Sequence, residues 1–202
     1  GRLSPFEHEQ NMLGTWAGIY DKGHQYGAYR GALESQNEYS RGQAQLYQAS
    51  IDELRQQMAT LDVGSEAWLN ARSAIFEYQE ALAQVTASIQ ENDAAIEESY
   101  VNELTTQYQD AEKSVSHEMN MARITAEGYK AEGDYENYRN MLDVEKELAA
   151  ENLNVKKTGL AAMEELLNSG KLKEGSDQWK ALREQIMGLR EEVAQGENDY
   201  AA

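Results

Sequence analysis

From Ser65 to Glu127 the chain runs 63 residues without a Gly or a Pro. These two residues interrupt helices, Gly through its backbone freedom and Pro through its ring and missing N–H. Only one Pro, Pro5, occurs in all 202 residues. Ala, Glu, Gln, Leu, Lys and Met dominate much of the sequence, and all favour helix. Nowhere do β-branched residues alternate with period two. The expected fold class is therefore all-α, built around one helix of about 65 residues, on the order of 97 Å long.

The apolar residues of this stretch say what the helix packs against. Trp68, Ala71, Ile75, Tyr78, Leu82, Val85, Ile89 and Ile96 follow one another at three- and four-residue steps, with Asn92 at one position of the stripe. The next step, Ile96 to Val101, is five residues and breaks a strict heptad. Beyond it the expected register is Val101, Leu104, Tyr108, Ala111, Val115, Ala122 and Tyr129, with Glu118 and Thr125 as polar positions. Two stripes on one helix predict two packing partners, one for each half.

Local signals divide the rest into helices. Ser4, Pro5 and Glu7 form a capping box for a leading helix over 5–22, and Gly23 suits its C-terminus. A return helix is expected over 25–61, with Tyr26, Tyr29, Leu33, Tyr47, Ile51, Leu54, Met58 and Leu61 as its apolar side. Gln36, Ser40 and Gln43 stand at stripe positions, and Gly27, Gly31 and Gly42 each cost up to about 1 kcal/mol against Ala, so the first half looks weak. Gly64 breaks this helix and Ser65 caps the next, with Glu66 placed well for the helix dipole. Gly133 and Asp134 do the same further on, opening a helix over 134–169. Gly170 closes that one. Ser176 caps a last helix over 176–200, in which Trp179, Leu182, Ile186, Leu189 and Val193 step three and four residues apart.

The chain also repeats itself. "GSEAWLNARSAI" at Gly64 and "GSDQWKALREQI" at Gly175 share G-S-acid-x-W-x-x-x-R-x-x-I, so Gly64, Ser65, Trp68, Arg72 and Ile75 align with Gly175, Ser176, Trp179, Arg183 and Ile186, 111 residues apart. H-E-x-N-M recurs at His8 and His117, and Y-x-x-Y-R-x-x-L recurs at Tyr26/Tyr29 and Tyr135/Tyr138, both 109 residues apart. The expected organisation is two tandem three-helix, coiled-coil units. Residues 1–97 form the first (leading helix 5–22, return 25–61, exit 65–97) and 98–202 the second (leading 98–130, return 134–169, exit 176–200). The exit helix of the first continues as the leading helix of the second, giving an elongated rod with a rise of roughly 45 Å per unit.

Composition excludes several functions. The formal charge of −18 disfavours direct binding to nucleic acid or anionic membrane, which need clustered Lys and Arg. No Cys is present for a disulfide or thiolate site, and no apolar run reaches the ~18 residues of a membrane span. No signal peptide is visible, and Gly1 suits an excised fragment. H-E-x-N-M lacks the second His of the zinc-protease motif, and no phosphate loop or nucleophile elbow occurs, so no metal, cofactor or catalytic residue is expected. The twelve Tyr against two Phe suit rings that pack on the stripe with hydroxyls at its edge. Each Trp–Arg pair is spaced i,i+4, so the Arg can lie over or beside the ring while the Trp closes the bundle end.

Together the two G-S-acid-x-W joints, the Y-x-x-Y-R return helices and the exit helices "ARSAIFEYQEALAQ" and "LREQIMGLREEVAQ" resemble the tail tape measure proteins of phages and prophages. The resemblance covers most of the chain. It implies a non-catalytic helical segment of a longer protein that occupies the tail tube during assembly and sets tail length. Its partners would be tail tube, tail assembly chaperone and baseplate proteins, with self-association possible. Its place would be the virion tail, or the host cytoplasm during assembly. The three-helix unit with a Trp and a shared helix is also similar in architecture to spectrin-like repeats, which would make it an elongated scaffold. A helical interaction module is the remaining reading.

Overall fold

The structure, a computed structural model, describes residues 25–201. Among the described residues there are four helices and no strand: α1 Tyr26–Met58, α2 Glu66–Glu132, α3 Tyr135–Asn168 and α4 Asp177–Ala201. The fold is all-α and coiled-coil-like. The expected leading helix over 5–22, with its capping box, His8, Tyr20, Gly23 and His24, lies outside the described residues. The chain forms two compact units that divide after Ser99, within α2. α2 is one uninterrupted helix of 67 residues.

In the first unit, α1 lies along the N-terminal half of α2. Leu33 and Ile51 of α1 and Ala71, Ile75 and Ile96 of α2 are buried. The Tyr47 and Tyr78 rings meet with centroids 5.9 Å apart. α1 ends at Met58, three residues before the expected Leu61. There the chain leaves the α pattern for short turns: Thr60 N–H donates to Gln57 O, Leu61 N–H to Met58 O, and the Thr60 hydroxyl also donates to Gln57 O. These bonds satisfy carbonyls that the next helical turn would have used. Gly64 therefore does not end α1. At φ +82° it makes the last turn before α2, with Ser65 N–H donating to Asp62 O at 3.0 Å.

In the second unit, the C-terminal half of α2, α3 and α4 enclose one apolar core. Val101 of α2, Met163 and Leu166 of α3, Leu172 of the loop, and Leu182, Ile186 and Leu189 of α4 form its buried centre. Leu182 is wholly inaccessible. Trp179, Tyr100, Leu104 and Tyr108 pack around it. Gly159 brings α3 close to α2: a Cβ there would come within 2.9 Å of Tyr108 Cε2 and would also strike Tyr108 Cδ2. Two exposed ion pairs, Arg190–Glu164 and Lys157–Glu197, each at 2.9 Å, tie α3 to α4 at the surface. Such pairs add little, about 0–1 kcal/mol each.

The stripe of α2 beyond Tyr108 differs from the expected register. Ala111 is exposed, and Ala122 and Ala126 are buried with Met119 half-buried. Two four-residue steps in a row, Leu104 to Tyr108 to Glu112, move the stripe by one position. After that shift Glu118 and Thr125 lie outside it, and the stripe does not weaken at polar positions. Consecutive four-residue steps drift against a heptad because the helix has 3.6 residues per turn.

Between α2 and α3 the chain turns at Gly133, φ +79°. Gly133 N–H donates to Lys130 O and Asp134 N–H to Tyr129 O, the paired bonds of a Schellman end. Asp134 then caps α3, its carboxylate accepting from Asn137 N at 3.2 Å. α3 finishes at Asn168, with Ser169 and the positive-φ Gly170 after it.

Candidate functional site

The two sequence signatures become two closely matched joints. Gly64 and Gly175 both adopt φ +82°. Ser65 Oγ accepts from Trp68 N at 3.2 Å, and Ser176 Oγ accepts from Trp179 N at 3.2 Å. Each serine thus satisfies one of the four unpaired N–H groups that open a helix. The Arg72 guanidinium lies 5.2 Å from the Trp68 ring centre, and the Arg183 guanidinium 5.6 Å from that of Trp179. Both Trp side chains are half-buried, and Trp179 packs against the core of its unit. Further along each helix, Ile75 and Ile186 are buried. Every shared position of the motif therefore has a structural role. The Gly makes a tight turn, the Ser caps, the Trp lays a ring on the bundle, the Arg sets a cation by that ring, and the Ile anchors the core.

The tyrosine signature divides. Tyr26 and Tyr29 are half-buried, as is Tyr138, over which Lys130 Nζ stands at 5.7 Å. Tyr135, expected to pack its ring, is 58% exposed. It is the first residue of α3, and a helical side chain leans over the turn preceding it, which Tyr135 does not have.

A polar layer in the first unit was not anticipated from the sequence as a connected set. Asn92 Nδ2 donates to Gln36 Oε1 at 2.9 Å and to Asn37 Oδ1 at 3.0 Å. Asn37 Nδ2 donates to Asp93 Oδ1 at 2.9 Å, and Arg30 donates to Ser99 Oγ at 3.0 Å. Asn37, Ser40 and Ser99 are all buried. The signal was there: Gln36, Ser40 and Asn92 are polar residues at stripe positions on two helices that pair. A buried, paired amide layer fixes helix register, because any slip leaves polar groups without partners.

The second unit holds one perturbed acid. Burial pushes the Tyr108 phenol up from its ordinary value, and the nearby Glu112 and Glu192 carboxylates add to the shift. Its hydroxyl is buried without a hydrogen bond of acceptable geometry, so Glu112 acts on it as a neighbouring charge rather than as a bonded acceptor. The second unit also carries an open groove of about 810 Å³ between α2 and α3, floored by Met119, Leu142 and Ala149 and edged by Arg123, Arg139 and Lys146.

Among the described residues no group of three or more His, Asp or Glu is placed to hold a metal ion. No described helix is long and apolar enough to cross a membrane. No protein family model, curated protein or solved structure matches this chain.

Proposed function

We propose that this chain is a non-catalytic structural segment of a phage tail tape measure protein, counting length by repetition of a helical unit. The observation that carries the reading is the pair of matched joints on either side of one uninterrupted helix of 67 residues. A joint whose shared residues all turn, cap or pack leaves none over for chemistry. A helix that runs through the unit boundary without a linker lets further units be added in phase. The tube, chaperone and baseplate partners follow from the family resemblance.

Deleting one 111-residue repeat from the full-length protein, with virion tails measured by electron microscopy, tests it. A straight-helix ruler loses ~165 Å of tail and a folded-bundle ruler ~45 Å, at 1.5 Å rise per residue. Tails of unchanged length would remove the ruler role and leave the spectrin-like scaffold as the better reading.

A further inference from the structure

The two units are built alike, yet the same face of the return helix is covered in one and open in the other. At matched positions 109 residues apart, Leu33, Asn37 and Ser40 of α1 are buried, whereas Leu142 is half-buried and Lys146 and Ala149 are exposed. Arg30 is half-buried and Arg139 exposed. In the first unit this face is bonded to the stretch 92–99 of α2: Asn92 on Gln36 and Asn37, Asp93 on Asn37, and Ser99 on Arg30. With the 111-residue offset of the exit helices, the matching stretch of the second unit starts one residue past Ala202. α4 points the way: Tyr200, which matches the stripe residue Ile89, stands 67% exposed at the edge of the adjoining groove, together with Gly196 and Lys146.

We propose that the groove between α2 and α3 is the seat of an acidic amphipathic helix with the pattern of residues 92–99, running on in line from α4. Charge supports this occupant. Residues 92–99 carry three acids, Asp93, Glu97 and Glu98, and no cation. The groove sets Arg123, Arg139 and Lys146 against Asp143 and Glu145. Position for position, Lys146 replaces Asn37, the partner of Asp93, so an amide–carboxylate bond becomes an ion pair. Ala149 replaces Ser40 and Leu142 keeps Leu33, so the groove floor is more apolar than its counterpart and needs an apolar residue at the Ile96 position. The proposal rests on the internal repeat and stands whether or not the chain belongs to a tail.

The test grafts residues 92–104 in register after Ala202, beside a graft of the same residues scrambled. The ordered graft is expected to raise the melting temperature by more than about 3 °C and to slow hydrogen exchange at amides 139–152 at least tenfold. Ile96→Asp in the grafted copy alone should abolish both effects, and Lys146→Glu in the chain should reduce them. An ordered graft no better than its scramble would overturn the proposal. So would protection outside 139–152 only. If the 92–104 peptide added in trans protects these amides while the ordered graft does not, the groove receives a separate chain and the in-line seat is wrong.

Discussion

Gly159 offers a test of packing in which local propensity and tertiary contact point in opposite directions. It lies inside α3, where Gly costs about 0.8–1.0 kcal/mol against Ala. An added Cβ would come within 2.9 Å of Tyr108 Cε2 and 3.2 Å of Cγ, and would collide with Cδ2. These atoms belong to the body of a ring wedged on the core, not to the free end of a flexible side chain. Overpacking of this kind costs about 1–3 kcal/mol. Gly159→Ala is thus expected to lose about 1 kcal/mol net, or ~2–4 °C in melting temperature for a chain of this length. Gly188, inside α4, is the control, because a Cβ there meets nothing within 4 Å. Gly188→Ala should gain about 1 kcal/mol from propensity alone, so the two variants should melt on opposite sides of wild type. Thermal denaturation followed by circular dichroism reads both. Adding Tyr108→Leu to Gly159→Ala should recover part of the loss beyond additivity, since the two residues touch. If Gly159→Ala melts higher than wild type, as Gly188→Ala does, the ring does not sit over Gly159 and the account of the α2–α3 approach fails.

Asn37→Ala should cost about 1–3 kcal/mol, because it strips partners from Asn92 and Asp93 in a buried layer; urea denaturation checks this, and a loss below about 0.5 kcal/mol, well under that range, would mean water replaces the amide. Tyr108 predicts an alkaline limit to stability. Its folded-state pKa lies above the unfolded value of 10.0, so the folded chain holds this proton more tightly. Its contribution is complete below pH 10 and is lost as pH rises from there towards the folded value. Tyr108→Phe should flatten the fall in melting temperature above pH 10; an unchanged alkaline slope would show that the phenol titrates as it does in the unfolded chain.

Much of the fold was legible because helix signals are local. Ser65, Ser176, Asp134, Gly133 and Gly170 each act within a few residues of their own position, and the structure uses each of these in the place its sequence context suggested. The end of α1 was less legible. The apolar stripe runs on through Leu61, so periodicity alone extends the helix, while the side-chain and turn bonds around Thr60 stop it at Met58. The register beyond Tyr108 failed for a related reason. Residues 111 and 112 are both compatible with a stripe, and only the partner helix decides between them. The polar layer needed two helices to be read together: Asn92 alone looks like a flaw in a stripe, and Gln36 and Ser40 alone look like weakness in α1. Placed side by side they are one bonded set. The exposure of Tyr135 could have been anticipated, since it follows its N-cap directly.

The helix shared between the units bears on how this protein can be taken apart. A cut at Ser99, where the compact units divide, would sever a helix in mid-course and leave four amides on one fragment and four carbonyls on the other without helical partners. Cuts at 59–65 or 169–176 fall where the backbone is already turning, and there the capped ends come away intact. Fragments made that way begin at a Ser–x–x–Trp cap and carry α2 whole, in company with α3. The piece that can be dissected cleanly is therefore a hairpin that straddles two repeats, and boundaries for expression should be drawn there rather than at the repeat border.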